Sequence, residues 1–383
     1  MARRIGIFCD SYRPENKAVA VRLYHLAEAF ARHDYAVTVV TATRFTEPSP
    51  VRVRRIVTIA PSNLQSNIVR LLSEVIMGME FFVRILFSRY HIVLLSSPPF
   101  LSMAFGAFAC KLRGIPYVFD VRDEYPEVYF TAGLLSPTSI IGRILLSIER
   151  AIYNNALLVT SVTQGICTRI GKKSMKATVK LVRNGYDGQK FFPASDLYPN
   201  FTVVFHGNMG RFQDPDLILK LASKAHEEKR NIEFLIIGWG NNDILLSEQA
   251  LPNVRYLGMV HYDAIPDAIA HAHLGISFRT DDLISRNAFP VKLYEYIGVG
   301  VPALITPRSE AGEFFESKQI GYQFNPDEWQ EIYSKIVYLA DHPDDLSKLR
   351  KNILEERKAF SRTEISDDLV RTVTSLLDNR RNS

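Results

Sequence analysis

The chain has 383 residues, 47% of them hydrophobic and 23% charged, with a formal net charge of +5. That length is too great for one ordinary core, so two domains are expected, and the composition is that of a globular protein. The mild basic excess suits anionic substrates or an anionic membrane surface, whereas Lys and Arg are not gathered into the single stripe that a nucleic-acid partner requires. The cysteines, Cys9, Cys110 and Cys167, are odd in number and show no C-x-x-C spacing. They read as reduced, buried thiols of a cytoplasmic protein rather than a disulfide frame or a zinc site.

Ile5 to Asp10 is a short apolar strand, too short for a secretory apolar region. A loop, Ser11 to Lys17, leads to a helix over about Ala18 to His33, whose apolar face is Val21, Leu23, Leu26, Ala27 and Phe30. Ala36 to Ala42 is the next strand, and this strand-loop-helix-strand opening begins a Rossmann-like half. No G-x-G-x-x-G follows the first strand, so the NAD fingerprint is missing. Leu64 to Arg89 is long and nearly all apolar, with Arg70, Glu74, Glu80 and Arg84 interspersed. At about 100° per residue these charges fall within a stripe of roughly 120°. Val69, Leu72, Val75, Ile76, Met79 and Phe82 lie on the remaining arc. Two readings stay open: a helix buried between sheet and neighbours, and a helix dipping into a membrane interface.

The longest stretch without Asp, Glu, Lys or Arg, Tyr90 to Cys110, contains Ser96-Ser97-Pro98-Pro99. It therefore reads as strand, turn and helix, not as a membrane span. His91 to Ser97 and Pro116 to Arg122 are strands, with a helix over Phe100 to Arg113 between them. Polar residues cluster after the second strand, where open α/β sheets bind ligands: Asp120-Val121-Arg122-Asp123-Glu124-Tyr125-Pro126-Glu127. Ser139 to Asn154 is helical, and Ala156 to Val162 and Val179 to Val182 are strands. Arg183-Asn184-Gly185-Tyr186-Asp187 is a turn.

A second α/β half opens at Phe201 to Phe205 and closes on the glycine-bearing turn His206-Gly207-Asn208-Met209-Gly210-Arg211. Backbone N–H groups in such a turn approach phosphate closely. Ile232 to Ile237 leads into Gly238-Trp239-Gly240. Val254 to Val260 and Leu274 to Phe278 are strands, with a helix over Asp263 to His271. His261, His271 and His273 lack the carboxylate neighbours of a metal site, and Asp214-Pro215-Asp216 reads as a helix cap. In Asn287 to Pro302, Pro290 fits a first helical turn, Gly298 and Gly300 end the helix, and a strand follows from Val301 to Thr306. Lys292 stands at the helix start, where unpaired N–H groups hold anions, and Glu295 lies about one turn on. Asp327 to Asn379 is helical and charged.

The segment P-x-K-x-Y-E-Y-x-x-x-G-x-P from Pro290 resembles the donor-binding motif of retaining GT-B glycosyltransferases of family 4. The O-antigen and capsule branch, which includes L-fucosamine transferases, looks nearest. Asp120 to Glu127 resembles that branch's D-x-R-D-x-x-P-E pattern, Arg183 to Asp187 its domain crossover, Gly207 to Gly210 its G-N-M-G turn, and Gly238 to Gly240 its G-x-G at the nucleotide base. The resemblance implies two Rossmann-like domains facing a cleft: 1–185 for the acceptor, a linker over 186–200, 201–360 for the nucleotide sugar, and a last helix, 361–383, returning to the first domain. It implies Asp123 and Arg122 near the transferred sugar. Donor contacts fall to Glu295, Lys292, Arg211, Gly207, Asn208, Gly210, Asn287, Gly238 and Asn184. Relatives often carry an acid where this chain has Asn287, a glycine pair where it has Arg13 to Ala18, and a lysine where it has Asp216.

The expected activity is retaining glycosyl transfer from a nucleoside-diphosphate sugar to a saccharide or lipid-linked acceptor, without metal or cofactor. It would operate in the cytoplasm or at the inner membrane face, with peripheral contact through 64–89. The rival readings are a nucleotide-sugar 2-epimerase and a non-catalytic GT-B partner protein.

Overall fold

The structure is a computed structural model that describes residues 2–15, 17–45, 50–58, 61, 66–240 and 251–382. Leu64 and Gln65, the expected start of the long apolar helix, lie outside the described residues. The chain forms two compact units, Met1–Arg183 with Ile365–Ser383, and Asn184–Glu364.

The first unit is built on strands β1 (Arg3–Phe8), β2 (Tyr35–Thr41), β3 (Arg52–Arg55), β4 (Ile92–Ser97), β5 (Tyr117–Val121), β6 (Leu158–Ser161) and β7 (Val179–Leu181). They pair in parallel in the order β3-β2-β1-β4-β5-β6-β7. Helices α1 (Ala18–Arg32), α2 (Asn67–Leu86), α3 (Phe100–Arg113), α4 (Glu127–Thr131), α5 (Ile140–Asn155) and α6 (Gln164–Lys173) connect them. β4 and β5 are buried at every position, as strands covered on both faces are. On one face, Leu23, Leu26 and Phe30 of α1 pack with Leu369, Val370 and Val373 of the C-terminal helix on Ile5, Val37 and Leu94. On the other, Met77, Phe81 and Ile85 of α2, Met103 of α3, and Leu145 and Ile152 of α5 pack on Phe8, Val93 and Phe119.

The second unit carries β8 (Phe201–His206), β9 (Ile232–Ile237), β10 (Val254–Gly258), β11 (Leu274–Ser277), β12 (Ala303–Ile305) and β13 (Gly321–Gln323). Their order is β10-β9-β8-β11-β12-β13, again parallel. The chain moves outward from β8 to β10, then returns to β11 on the other side of β8. That reversal is a topological switch point, where such sheets bind ligands beyond the strand carboxyl ends. Its helices are α7 (Pro215–Glu227), α8 (Ile265–Ala270), α9 (Leu283–Arg286), α10 (Val291–Val299), α11 (Glu310–Ser317), α12 (Trp329–Asp341) and α13 (Pro343–Glu356); the C-terminal helix α14 (Arg362–Asn382) begins here, and from Ile365 on it belongs to the first unit.

Several expectations are corrected in detail. Arg22, not Val21, sits on the buried face of α1, because it ion-pairs with Asp120 beneath the helix at 2.8 Å. Residues 186–200, expected to link the halves, give Tyr186 and Phe191 to the core of the second unit. Gly298 lies inside α10 rather than at its end. A Cβ there would stand 2.7 Å from the Tyr186 ring, so it is a packing glycine, and the left-handed turn (φ 76°) falls to Gly300 alone. β3, Arg-Val-Arg-Arg, escapes a hydrophobic-pattern reading because edge strands carry charge.

The two readings left open for α2 are separated by its orientation. Glu74 is buried, within 3.6 Å of Arg70, and accepts a hydrogen bond from the Leu101 N–H. Glu80 accepts from the N–H groups of Val57 and Thr58 and from Arg84. The charged stripe thus faces the protein with Met77, Phe81 and Ile85. Ile68, Leu72, Ile76, Met79 and Val83, on the opposite side, are exposed.

Candidate functional site

Three loops meet at the carboxyl ends of the second sheet. The loop after β8 is stitched to the loop after β9 by bonds from the Gly207 N–H to the Ile237 carbonyl and from the Met209 N–H to the Trp239 carbonyl, both 2.9 Å. It is stitched to the loop after β11 by the Asp214 N–H on the Phe278 carbonyl and the Thr280 N–H on the Phe212 carbonyl. This close approach explains the glycines. Gly207 has φ 118°, and a Cβ on Gly238 would fall 1.9 Å from the Gly207 oxygen. No other residue fits there.

Lys292, in the first turn of α10, reaches under the loop after β8. Its residue is only 8% exposed. Nζ donates to Gln213 Oε1 at 3.1 Å and lies 3.6 Å from the centre of the Phe205 ring. No carboxylate pairs with it among the described residues. Burial first, then the nearby positive charge of Arg279, hold its pKa well below the usual lysine value, against the opposing pull of Glu295. Arg279, two residues beyond β11, is itself lowered by burial, and its Nε donates to Ser285 Oγ at 3.2 Å. The guanidinium groups of Arg279 and of exposed Arg211 lie 5.5 and 4.5 Å from the centre of the Phe212 ring. Three cations therefore surround one glycine-bearing loop.

Glu295 follows on the same helix face and is 5% exposed. The Tyr262 hydroxyl donates to its Oε1 at 3.2 Å, and Oε2 is 3.4 Å from His206 Nε2. Burial raises its pKa, and the charge of Arg362 is the largest opposing influence. Burial and the charge of Lys292 push His206 down to about 3, so its ring is neutral at physiological pH. The hydroxyl of its neighbour Tyr296 shares its one proton between the carbonyls of Val204 at 2.9 Å and Ile276 at 3.2 Å, which locks α10 onto the sheet.

Of the residues singled out in the sequence, the structure brings Lys292, Glu295, Gly207, Asn208, Gly210, Arg211 and Gly238 to this one strand end. Asn287 is half-buried just before α10, and Asn184 opens the second unit ahead of Gly185. Arg279, His206, Tyr262 and Arg362 escaped the sequence reading. For Arg279 there was a signal, a basic residue just past a strand's carboxyl end. Asp214 caps α7 by accepting from the Leu217 N–H, and His273 accepts from the Thr202 N–H.

In the first unit, Arg122 is held at the carboxyl end of its own sheet. Nε donates to Ser96 Oγ at 3.1 Å, Nη2 to the Pro98 carbonyl at 2.7 Å, and Asp10 Oδ1 lies 3.8 Å away. Asp123 beside it is exposed. Glu124 pairs with Arg169 and Glu127 with Lys173. Lys17 pairs with Glu15 at 2.7 Å within the loop after β1, and the Arg13 guanidinium stacks 4.1 Å over Tyr24 of α1.

Comparison with known proteins adds the family. A glycosyl transferase 4-like domain matches residues 17–185, and a glycosyl transferases group 1 domain matches residues 200–342. No curated protein matches the sequence. Among solved structures, Anabaena HepE in complex with UDP aligns with a TM-score of 0.70 at 15% identity, over 97% of this chain and 100% of that one. Sucrose-phosphate synthase from Thermosynechococcus elongatus aligns at 0.68 and 16%, over 98% and 100%. WaaG, a glycosyltransferase involved in lipopolysaccharide biosynthesis, aligns at 0.67 and 13%, over 97% and 99%. At these identities the likeness is one of fold. Two glycosyltransferase domains that together span most of the sequence, on two parallel sheets with this topology, make the chain a glycosyltransferase of the GT-B fold.

Proposed function

We propose that the chain transfers a glycosyl group from a nucleoside-diphosphate sugar, UDP-linked, to an acceptor hydroxyl with retention at the anomeric carbon. The product would be a cell-surface polysaccharide or glycolipid. The observation that carries this is Lys292, a buried cation with a lowered pKa and, among the described residues, no carboxylate partner, under a glycine loop at a switch point. A diphosphate placed there favours the lysine's charged form and accepts from backbone N–H groups of the loop.

In the reaction the bond from the anomeric carbon to the diphosphate oxygen breaks. The acceptor oxygen bonds to the same face of the sugar, and its proton passes to the departing diphosphate. Lys292, Arg279 and Arg211 stabilise the charge that builds on that leaving group, so the reading needs no metal or cofactor. Glu295, oriented by Tyr262, accepts from the ribose hydroxyls, and Asn287 hydrogen-bonds a sugar hydroxyl. Arg122 and Asp123 of the first unit are assigned to the transferred sugar by motif resemblance. UDP is chosen over GDP because HepE, of the same fold, is solved with UDP and with UDP-glucose.

Thermal melting with UDP, GDP, their sugars and NAD tests the reading. A ligand that binds only the folded state stabilises it by about 2.7 kcal/mol at one hundred times its Kd. The expected result is a raised Tm with UDP and UDP-sugars, none with NAD, and loss of the shift in Glu295→Ala. No shift with any nucleotide overturns it. Asn287, where relatives carry an acid, favours a second reading as a non-catalytic partner; donor binding with no transfer to any acceptor would select it. Turnover of the donor sugar without acceptor would select the epimerase.

A further inference from the structure

The helix layer of α2, α3 and α5 in the first unit has an outer surface that the proposed chemistry does not use. On α2, Ile68, Leu72, Ile76, Met79 and Val83 form one stripe, and between 48% and 73% of each is exposed. Phe82 of α2 stacks on Phe108 of α3, with ring centres 5.9 Å apart, so the stripe runs on to α3, where Phe108 and Leu112 are more than half exposed. On α5, Ile140, Ile141 and Ile144 are exposed at 79%, 57% and 53%. Between α3 and α5 an apolar groove of about 350 Å³ is lined by Leu101, Ala104, Phe105, Phe108, Ile148 and Ile152, with Lys111 on its wall. Ile144 lies one turn before Ile148, so the groove opens onto the same apolar surface. Proteins that stay monomeric in water rarely expose continuous apolar area on this scale.

The charges of this layer are of one sign. The acids on its three helices are turned inward: Glu74 toward Arg70, Glu80 toward Arg84, and Glu149 to Lys173 at 2.9 Å. The exposed charges are Lys111 and Arg113 at the end of α3, Arg143 and Arg150 on α5, and Arg89 just beyond α2. We propose that this face docks on the surface of an anionic lipid bilayer, with the apolar stripe in the acyl boundary, the five cations at the phosphate level, and a lipid hydrocarbon chain in the groove. The complementarity of cations to anionic headgroups favours a lipid surface over a second copy of the chain, because a two-fold contact of this face would set the same cations against one another. No described helix is long and apolar enough to cross a membrane, so the contact is with one leaflet. The proposal rests on the first unit's surface and stands independently of donor binding in the second.

The test is cosedimentation of the full chain with vesicles of phosphatidylcholine alone and of phosphatidylcholine mixed with phosphatidylglycerol. Strong binding to the mixed vesicles and little to the neutral ones is expected. Ile76→Asp with Val83→Asp should weaken vesicle binding about tenfold or more, because it places charge in the inserted stripe. Arg143→Glu with Arg150→Glu should weaken binding to the anionic vesicles by about tenfold and leave binding to neutral ones unchanged. Each pair should keep the far-UV spectrum and the UDP-induced Tm shift of the parent. Wild-type protein that stays in the supernatant with anionic vesicles overturns the proposal. Equal binding by the Asp variants does so too. Vesicle-independent dimerisation abolished by the Asp variants would instead assign the face to a second copy.

Discussion

The carboxyl ends of the two sheets treat charge in opposite ways. In the first unit the buried carboxylate of Asp120 meets the Arg22 guanidinium at 2.8 Å and accepts from Thr160 and Ser96. Burial pushes the Asp120 pKa up, and Arg22 with these hydrogen bonds more than offsets that, so the carboxyl ends below its usual range. In the second unit the buried charge of Lys292 meets an amide and an aromatic ring, and its pKa falls. Asp120 is neutralised within its own unit. The second unit holds a cation at a cost in desolvation that only an incoming anion relieves, and this separates a structural ion pair from a binding residue.

The comparison breaks most sharply at Arg22. Replacing it with Met leaves Asp120 buried without its cation, and a loss of about 3–5 kcal/mol of unfolding free energy is expected. Urea denaturation measures it, and the added change Asp120→Asn should recover part of the loss. An Arg22→Met protein as stable as the parent would mean that the pair contributes nothing. At Lys292 the expectation runs the other way: Lys292→Ala should fold at least as well, since a desolvated cation is removed. Its glycosyl transfer should fall about 10²–10³-fold, the usual cost of losing one stabiliser of developing charge. Turnover equal to that of the parent would sink the diphosphate assignment.

The smallest effect concerns His206. With a folded-state pKa of about 3 against 6.5 when unfolded, only the unfolded chain binds a proton here as pH falls through that window. Stability is therefore lost on acidification, by on the order of 3 kcal/mol at pH 4 for this group alone. Glu295, raised by burial, acts in the opposite sense and offsets part of the loss. Melting curves of His206→Phe across this range should show a shallower acid limb than the parent. An unchanged limb would mean that the ring is charged in the folded protein.

Most strands and helices were legible in the sequence because burial on both faces imposes long apolar runs, as in Ile232–Ile237, and because helices such as Phe100–Arg113 end at a glycine. The motif around Lys292 and Glu295 was legible for another reason. A charge one turn from another on a short apolar helix fixes both on one face, whatever surrounds them. Arg279, Tyr262 and Arg362 were not legible, because they reach Phe212 and Glu295 from segments far away in the chain, and no local spacing records such a meeting.

The chain by itself determined two α/β halves, the glycine turns after β8 and β9, and a lysine and a glutamate at the head of one helix. All of these follow from local periodicity and turn chemistry. Only the tertiary structure decided which way each amphipathic helix faces. Periodicity marks the two sides of α2 but not which of them meets the sheet. Glu74 and Glu80 turned inward because Leu101, Val57 and Thr58 offered them N–H donors, and the apolar arc was left outside. Likewise, Lys292 meets no carboxylate among the described residues because β8 and the loop after it brought Phe205 and Gln213 to its side chain, and the pairing of a buried charge is settled by neighbours in space.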